Sequence, residues 1–164
     1  MPQLVLIRHA KSDWSGDDSD RARPLAPRGR RQAPAIGRWL AAQDRAPDLV
    51  LLSPARRARQ TWQLVADAMP ESDGEVVVAE AAYTFDGRDL LALVRGLPAG
   101  LGTIVLVGHN PAMEELVAVL TGADVHLPTS AIAMVDLPDP ATAGDGRARL
   151  LTTGRPADGL PPLD

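Results

Sequence analysis

Two histidines in this chain each stand directly after a short apolar run. Leu4-Val5-Leu6-Ile7 leads into Arg8-His9-Ala10, and Ile104-Val105-Leu106-Val107 leads into Gly108-His109-Asn110-Pro111. A neutral imidazole nitrogen is a competent nucleophile near pH 7 when the other ring nitrogen is held as a donor. The fork of an arginine matches two phosphate oxygens at once. Two histidines and Arg8 in one place could therefore attack and hold a phosphoryl group, a chemistry governed by positioning and by compensation of charge on its oxygens.

That chemistry depends on the elements that carry the residues. Each apolar run has the length and composition of a strand buried in a parallel sheet. Laid side by side and parallel, the two strands would open both histidines into one crevice at their C-terminal ends, where open α/β sheets bind ligands. Around them the pattern alternates. Residues 4–9 read as a strand and Ala10 to Pro27 as a polar loop over the site. Residues 28–43 read as a helix with Ala33, Ile36 and Leu40 on one face, which Pro34 should kink or delay. A strand at Leu49 to Leu52 precedes Ser53-Pro54, a serine cap with proline at the first helical position, and a helix facing inward through Ala58, Trp62, Val65 and Met69.

A strand at Val76 to Ala79 and a helix through Leu90, Leu91, Val94 and Leu97 lead to the second histidine strand. Asn110-Pro111 repeats the cap-and-proline start for a helix running to Gly122. Ala131 to Leu137 reads as a strand, with Arg149 to Thr152 returning antiparallel, and the proline- and glycine-rich tail from about 154 reads as loosely ordered. The alternation predicts an α/β sandwich with a mostly parallel central sheet in a single domain over residues 1–164.

Helices beginning at Ser53 and Asn110 would aim unpaired amides at an anion. Arg57 falls within about the first turn after Ser53, with Arg56 and Arg59 beside it. Arg8, Arg57 and a protonated His109 would then surround a phosphate that His9 attacks. The chain offers no carboxylate–histidine spacing typical of metal ligands, so the expectation is a site with no metal and no cofactor. His126 follows no motif and reads as structural or solvent-facing.

Composition narrows the setting. Among 164 residues, 45% are hydrophobic and 23% charged, ordinary for a globular protein. No apolar run approaches the roughly 20 residues that span a bilayer. Met1-Pro2-Gln3 carries no basic segment and the apolar run after it is too short for a signal peptide, so the default expectation is a cytoplasmic protein with no membrane partner. Without cysteine there is no thiol nucleophile or thiolate metal site. A net charge of −4 argues against nucleic acid as a partner. Arginines nonetheless crowd Arg21 to Arg31 and Arg56 to Arg59, and the first group could steer an acidic phosphoprotein toward the site.

These residues carry a family resemblance. Leu6-Ile7-Arg8-His9-Ala10-Lys11-Ser12-Asp13-Trp14 resembles the signature of the histidine phosphatase superfamily, in the form found in small SixA-type phosphohistidine phosphatases, with Ala10 where phosphoglycerate mutases have glycine. Arg23-Pro24-Leu25 with Arg28-Gly29 is similar to the next block. Residues Ser53 to Thr61 match its S-x-x-x-R-A-x-Q-T element and single out Arg57, and Val107 to Pro111 matches the second histidine motif. The resemblance spans roughly residues 4–122. It implies a three-layer α/β/α, phosphoglycerate mutase-like fold, a phosphohistidine intermediate on His9, and a phosphate pocket of Arg8, Arg57 and His109. Many members also protonate the leaving group with an acid from the segment corresponding to Glu80–Tyr83. Glu80 is the nearest carboxylate here and Asp86 lies further on, neither in a good copy of the mutase pattern.

The weak acid motif bears on substrate. A phosphomonoester leaves as a poor alkoxide, and a positioned acid speeds it by roughly 10²–10⁴-fold. The ring of phosphohistidine can already carry the proton that makes it a good leaving group. The expected substrate is therefore phosphohistidine on a protein. The alternatives are a small phosphate ester such as a sugar phosphate or nucleotide, or a module that binds phosphate or phosphoprotein without turnover.

Overall fold

A computed structural model describes residues 1–164. The strands are β1 (Gln3–Arg8), β2 (Leu49–Leu52), β3 (Glu75–Val78), β4 (Thr103–Gly108), β5 (Ile132–Asp136) and β6 (Arg149–Gly154). The helices are α1 (Pro27–Ala42), α2 (Arg56–Asp67), α3 (Gly87–Arg95) and α4 (Ala112–Thr121). All six strands form one sheet in the order β3-β2-β4-β1-β5-β6. The pairs β1–β4, β2–β4 and β2–β3 are parallel, whereas β5 pairs antiparallel with both β1 and β6. Only β5 runs against the rest, so the mostly parallel sheet expected from the alternation is present.

Successive side chains on β1 and β4 go to opposite faces, which explains their unbroken apolar runs. Leu4, Leu6, Ile104 and Leu106 join Leu90, Val94, Leu116 and Leu120 of α3 and α4 in one buried cluster. Val5, Ile7, Val105 and Val107 join Ile36, Leu40, Trp62 and Val65 of α1 and α2 in another. Helices thus cover both faces, giving the three-layer α/β/α arrangement. Trp39 and Trp62 are buried in the second cluster. No helix is long and apolar enough to cross a membrane.

Four local expectations need correction. First, α1 begins at Pro27 and runs through Pro34. Proline lacks one intrahelical donor, but Ala33, Ile36 and Leu40 are fully buried, and burial of that face outweighs the loss. Second, α2 begins at Arg56 rather than after a Ser53 cap. Third, α4 begins at Ala112 with Pro111 at its cap position, not Asn110. In both places the polar side chain has a distant partner: Ser53 Oγ accepts from the Ala55 amide at 3.3 Å, short of the helix, and also meets His109 at 2.7 Å, while Asn110 Nδ2 donates to the Leu127 carbonyl. Fourth, the tail does not lie loose. Leu160 and Leu163 pack on the second cluster, and the Trp39 indole N–H donates to the Leu160 and Pro161 carbonyls. Composition signalled the turns of this segment but not the two leucines that anchor it.

Helix α2 is seated against α1 at Gly37, where a Cβ would stand 2.1 Å from the Val65 carbonyl oxygen. Backbone that close tolerates no side chain. Gly37→Ala is expected to lower stability by about 1–3 kcal/mol through overpacking, read by urea denaturation. A variant as stable as the parent would show that α1 and α2 do not meet here.

Candidate active site

The parallel register of β1 and β4 sets the geometry. Arg8 lies opposite Gly108, so the next residues, His9 and His109, leave the sheet together. The His9 amide donates to the Gly108 carbonyl at 3.1 Å. Their ring centroids are 5.1 Å apart. Residues 100 positions distant in sequence become neighbours in a crevice of about 300 Å³ that Arg8, Arg57 and Arg23 also line.

His9 is held in one tautomer. Its Nδ1–H donates to the Ala10 carbonyl at 2.7 Å, which leaves the lone pair on Nε2 free. Burial, the largest effect, lowers its pKa from 6.5 to about 3, and His109 and Arg57 push the same way. The ring is therefore neutral at pH 7, the state in which an imidazole nitrogen has a lone pair to offer. Ala10 itself is fixed by α2: its amide donates to Thr61 Oγ1 at 2.9 Å, and the Thr61 hydroxyl donates back to the Arg57 carbonyl. Gln60 accepts from the Leu25 amide at 2.9 Å and anchors the loop that follows. The polar positions of the Ser53 to Thr61 segment thus tie α2 to the histidine loop.

His109 is equally constrained. Arg57 Nη2 can only donate, and it lies 3.3 Å from His109 Nδ1, so Nδ1 must be the acceptor. The proton then sits on Nε2 and is donated to Ser53 Oγ at 2.7 Å. Burial and then the Arg57 charge lower the His109 pKa to about 4. His109 is consequently neutral here, correcting the expectation of a protonated ring. The positive charge of the crevice comes from guanidinium groups instead.

Arg57 is almost wholly buried on the second position of α2. Both of its terminal nitrogens meet Asp20, Nη1 at the backbone carbonyl and Nη2 at a carboxylate oxygen 3.2 Å away. Arg8 donates through Nη1 to the Leu127 carbonyl at 2.9 Å. The Nε–H of each arginine is buried without a partner, so both carry donors still to be satisfied. The amides at the start of α2 contribute less than the sequence suggested, because the first, on Arg56, already donates to the Arg21 carbonyl.

The loop between β1 and α1 is strapped down. Ser12 bridges to Leu25, the Ala26 amide donates to Lys11 O, and Arg23 Nε donates to Ser12 Oγ. Gly29 permits this, since a Cβ there would lie 2.3 Å from the Lys11 carbonyl oxygen. The strapping brings in Asp20, which sequence reasoning left among several loop carboxylates. Asp20 receives Arg23, Arg57 and the Tyr83 hydroxyl. Partial burial would raise its pKa, but Tyr83 and Arg57 outweigh that and hold it at about 2. The spacing to Arg23, three residues on, was the one local signal for its role.

Glu80 is not brought to the crevice. Its side chain is exposed and paired with Arg21 at 2.6 Å, and that hydrogen bond lowers its pKa. Asp86 caps α3 through the Arg88 amide. His126 is exposed, 3.3 Å from Glu114. Of the residues singled out from sequence, the structure gathers Arg8, His9, Arg57 and His109 and leaves Glu80 outside. It adds Asp20, Ser53, Thr61, Arg23 and Phe85.

Known proteins resemble this chain in sequence and in fold. Residues 4–81 match the model of the histidine phosphatase superfamily (branch 1). Protein Rv1276c of Mycobacterium tuberculosis, itself uncharacterized, is 36% identical over 140 residues, covering 79% of this chain and 85% of the relative. Phosphohistidine phosphatase SixA of Escherichia coli is 30% identical over 138 residues, covering 82% and 85%. The solved structure of the protein histidine phosphatase SixA complexed with tungstate superposes with a TM-score of 0.82 at 27% identity, covering 95% of this chain and 98% of that one.

The two neutral rings have a measurable consequence. In the unfolded chain each would titrate near its ordinary value of 6.5, but when folded only near 3 and 4. Between those values the unfolded state binds more protons, so stability is full above about pH 6.5 and falls as the pH drops toward 4. At pH 5 the expected loss is roughly 2 kcal/mol per ring relative to pH 7.5. Denaturation at the two pH values measures it, and His109→Gln should remove about half the difference. Equal stability at both would show that the rings are not buried neutral.

Proposed function

This chain belongs to the histidine phosphatase superfamily, and we propose that within it the chain hydrolyses phosphohistidine on a protein substrate through a phosphorylated His9. The observation that carries the substrate is the state of the carboxylates. Asp20, the crevice's only carboxylate, is ionised and tied to Arg57, Arg23 and Tyr83, and Glu80 is tied to Arg21. Neither is placed to give a proton to an alkoxide. A substrate whose leaving group brings its own proton suits this site.

The steps follow from the geometry. Arg8 and Arg57 receive the phosphoryl oxygens through their guanidinium groups, partly displacing present contacts. The Nε2 lone pair of His9 attacks phosphorus in line with the scissile bond. As that P–N bond breaks, its electron pair returns to the substrate ring, which leaves as neutral imidazole because its other nitrogen is protonated. His9 now carries the phosphoryl group and keeps its Nδ1–H on the Ala10 carbonyl. Water then attacks phosphorus, the bond to Nε2 breaks with its pair returning to His9, and both water protons leave with inorganic phosphate. Exchange between two imidazoles matches bond types on both sides, so the first step has little thermodynamic bias. Ser53 holds the His109 tautomer that accepts from Arg57, and this keeps the guanidinium plane oriented. We read the site as metal-independent, with arginine supplying the charge that a metal would. The tungstate in the related SixA structure is an oxyanion of the kind such a pocket would take.

His9→Ala is expected to abolish turnover, and an acid-quenched reaction of the parent to show acid-labile phosphate on His9. Full activity in His9→Ala would end the reading. Phosphate release should persist in EDTA, and a loss restored by added metal would refute metal independence. The kcat/KM on a phosphohistidine protein should exceed that on a panel of sugar phosphates and nucleotides. Esters preferred by orders of magnitude, with activity removed by Glu80→Gln, would assign the substrate to the ester class instead.

A further inference from the structure

The chain has five aromatic residues of the Phe, Tyr and Trp types, and three of them stand at the mouth of one crevice. Trp39 and Trp62 are buried, each 8% exposed. Trp14 and Phe85 line the crevice at 69% and 49% exposure, and Tyr83 adjoins them. Single exposed apolar rings need no special cause, but the only phenylalanine beside a cationic phosphate-sized pocket does. Each ring is held in place. The Arg23 guanidinium lies 3.5 Å over the Trp14 ring, and the Tyr83 hydroxyl donates to Asp20. Phe85 meets Tyr83 edge-on at 6.3 Å and lies 5.6 Å from the His109 ring, which is itself 5.1 Å from His9. Tyr83 lies as near, 5.5 Å from the His109 ring, but it is less exposed than Phe85 and its hydroxyl is tied to Asp20, which leaves Phe85 as the half-exposed ring beside His109.

We propose that Phe85 is a specificity-determining residue whose ring packs against the planar leaving group of the substrate, the imidazole of phosphohistidine. The proposal rests on the phosphohistidine reading and goes beyond it by assigning the residue that recognises the ring. With phosphate between Arg8 and Arg57, a cavity of about 300 Å³ has room for the phosphoryl group and one small ring, and the backbone bearing that ring stays outside. A protonated leaving ring is a cation, which an aromatic face stabilises. No acid stands in the crevice to protonate the leaving nitrogen, so a wall that favours the already protonated form would advance P–N cleavage. When the bond breaks, the electron pair returns to the ring and its charge is neutralised, while Phe85 exchanges no proton.

The test compares two N–P compounds that differ in the ring: N-phosphoimidazole and phosphoramidate. The readout is the ratio of their kcat/KM values, in which effects on the shared phosphate chemistry cancel. Phe85→Ala, at a half-exposed position that should fold, is expected to lower this ratio about tenfold, the scale of one aromatic contact. Phe85→Tyr should keep the parent ratio and Phe85→Leu should not. An unchanged ratio in Phe85→Ala, even with both rates reduced, overturns the proposal, as does a parent-like ratio in Phe85→Leu. Should the parent turn over neither N–P compound yet hydrolyse esters, the phosphohistidine reading fails and phenyl phosphate over ethyl phosphate becomes the ratio. A fall there in Phe85→Ala upholds the ring contact with a different ring, and no fall overturns it too.

Discussion

The parallel pairing of β1 with β4 is the constraint on which the site depends. Both strands are buried on both faces, and a slip of one residue would exchange the apolar sets facing α1/α2 and α3/α4. Register is therefore specified by the whole core, not by the histidines. Because Arg8 and Gly108 are opposite, the chain has no choice but to release His9 and His109 side by side. The juxtaposition of the two histidines is a by-product of a well-determined hydrophobic register.

Electrostatics gives the crevice its character. Arg8, Lys11, Arg23 and Arg57 line it against the single carboxylate of Asp20, so it carries net positive charge. Burial, with the charges of Arg57 and Arg8 added to it, keeps both imidazoles neutral. One arrangement thus favours an anion and leaves the Nε2 lone pair of His9 free. Asp20 completes it by holding Arg57 and Arg23 in place. An anion entering the crevice must compete with that carboxylate for Arg57, which disfavours weak or poorly placed anions. The loop bearing Asp20 is in turn pinned by Gln60, on the helix of Arg57, and by Arg23, so helix and loop position one another.

Several features were legible before any coordinates. Unbroken apolar runs marked β1 and β4 because burial on both faces leaves no polar alternation, and spacings of three and four marked the helices. The types and order of Arg8, His9, Arg57 and His109 announced phosphate chemistry. The errors share one cause. Ser53 and Asn110 look like caps because local sequence offers the amides ahead of them as the only partners in view. In the folded chain Ser53 Oγ is shared between the Ala55 amide and His109, and Asn110 meets the Leu127 carbonyl, the remote partners lying 56 and 17 residues away. Glu80 looked like an acid by position along the chain, yet Arg21, 59 residues away, claims it.

By itself, then, the sequence determined the layered α/β architecture, the two histidine-bearing strand ends and the arginine that joins them, because periodicity and burial are local properties that a chain writes along its length. Tertiary structure decided the charge state of His109, the recruitment of Asp20, the exclusion of Glu80, the seating of the tail on Trp39 and the place of Phe85 at the crevice mouth. Each of these is a contact between remote segments, and a polar or aromatic side chain has no fixed partner until the fold brings candidates within a few ångströms.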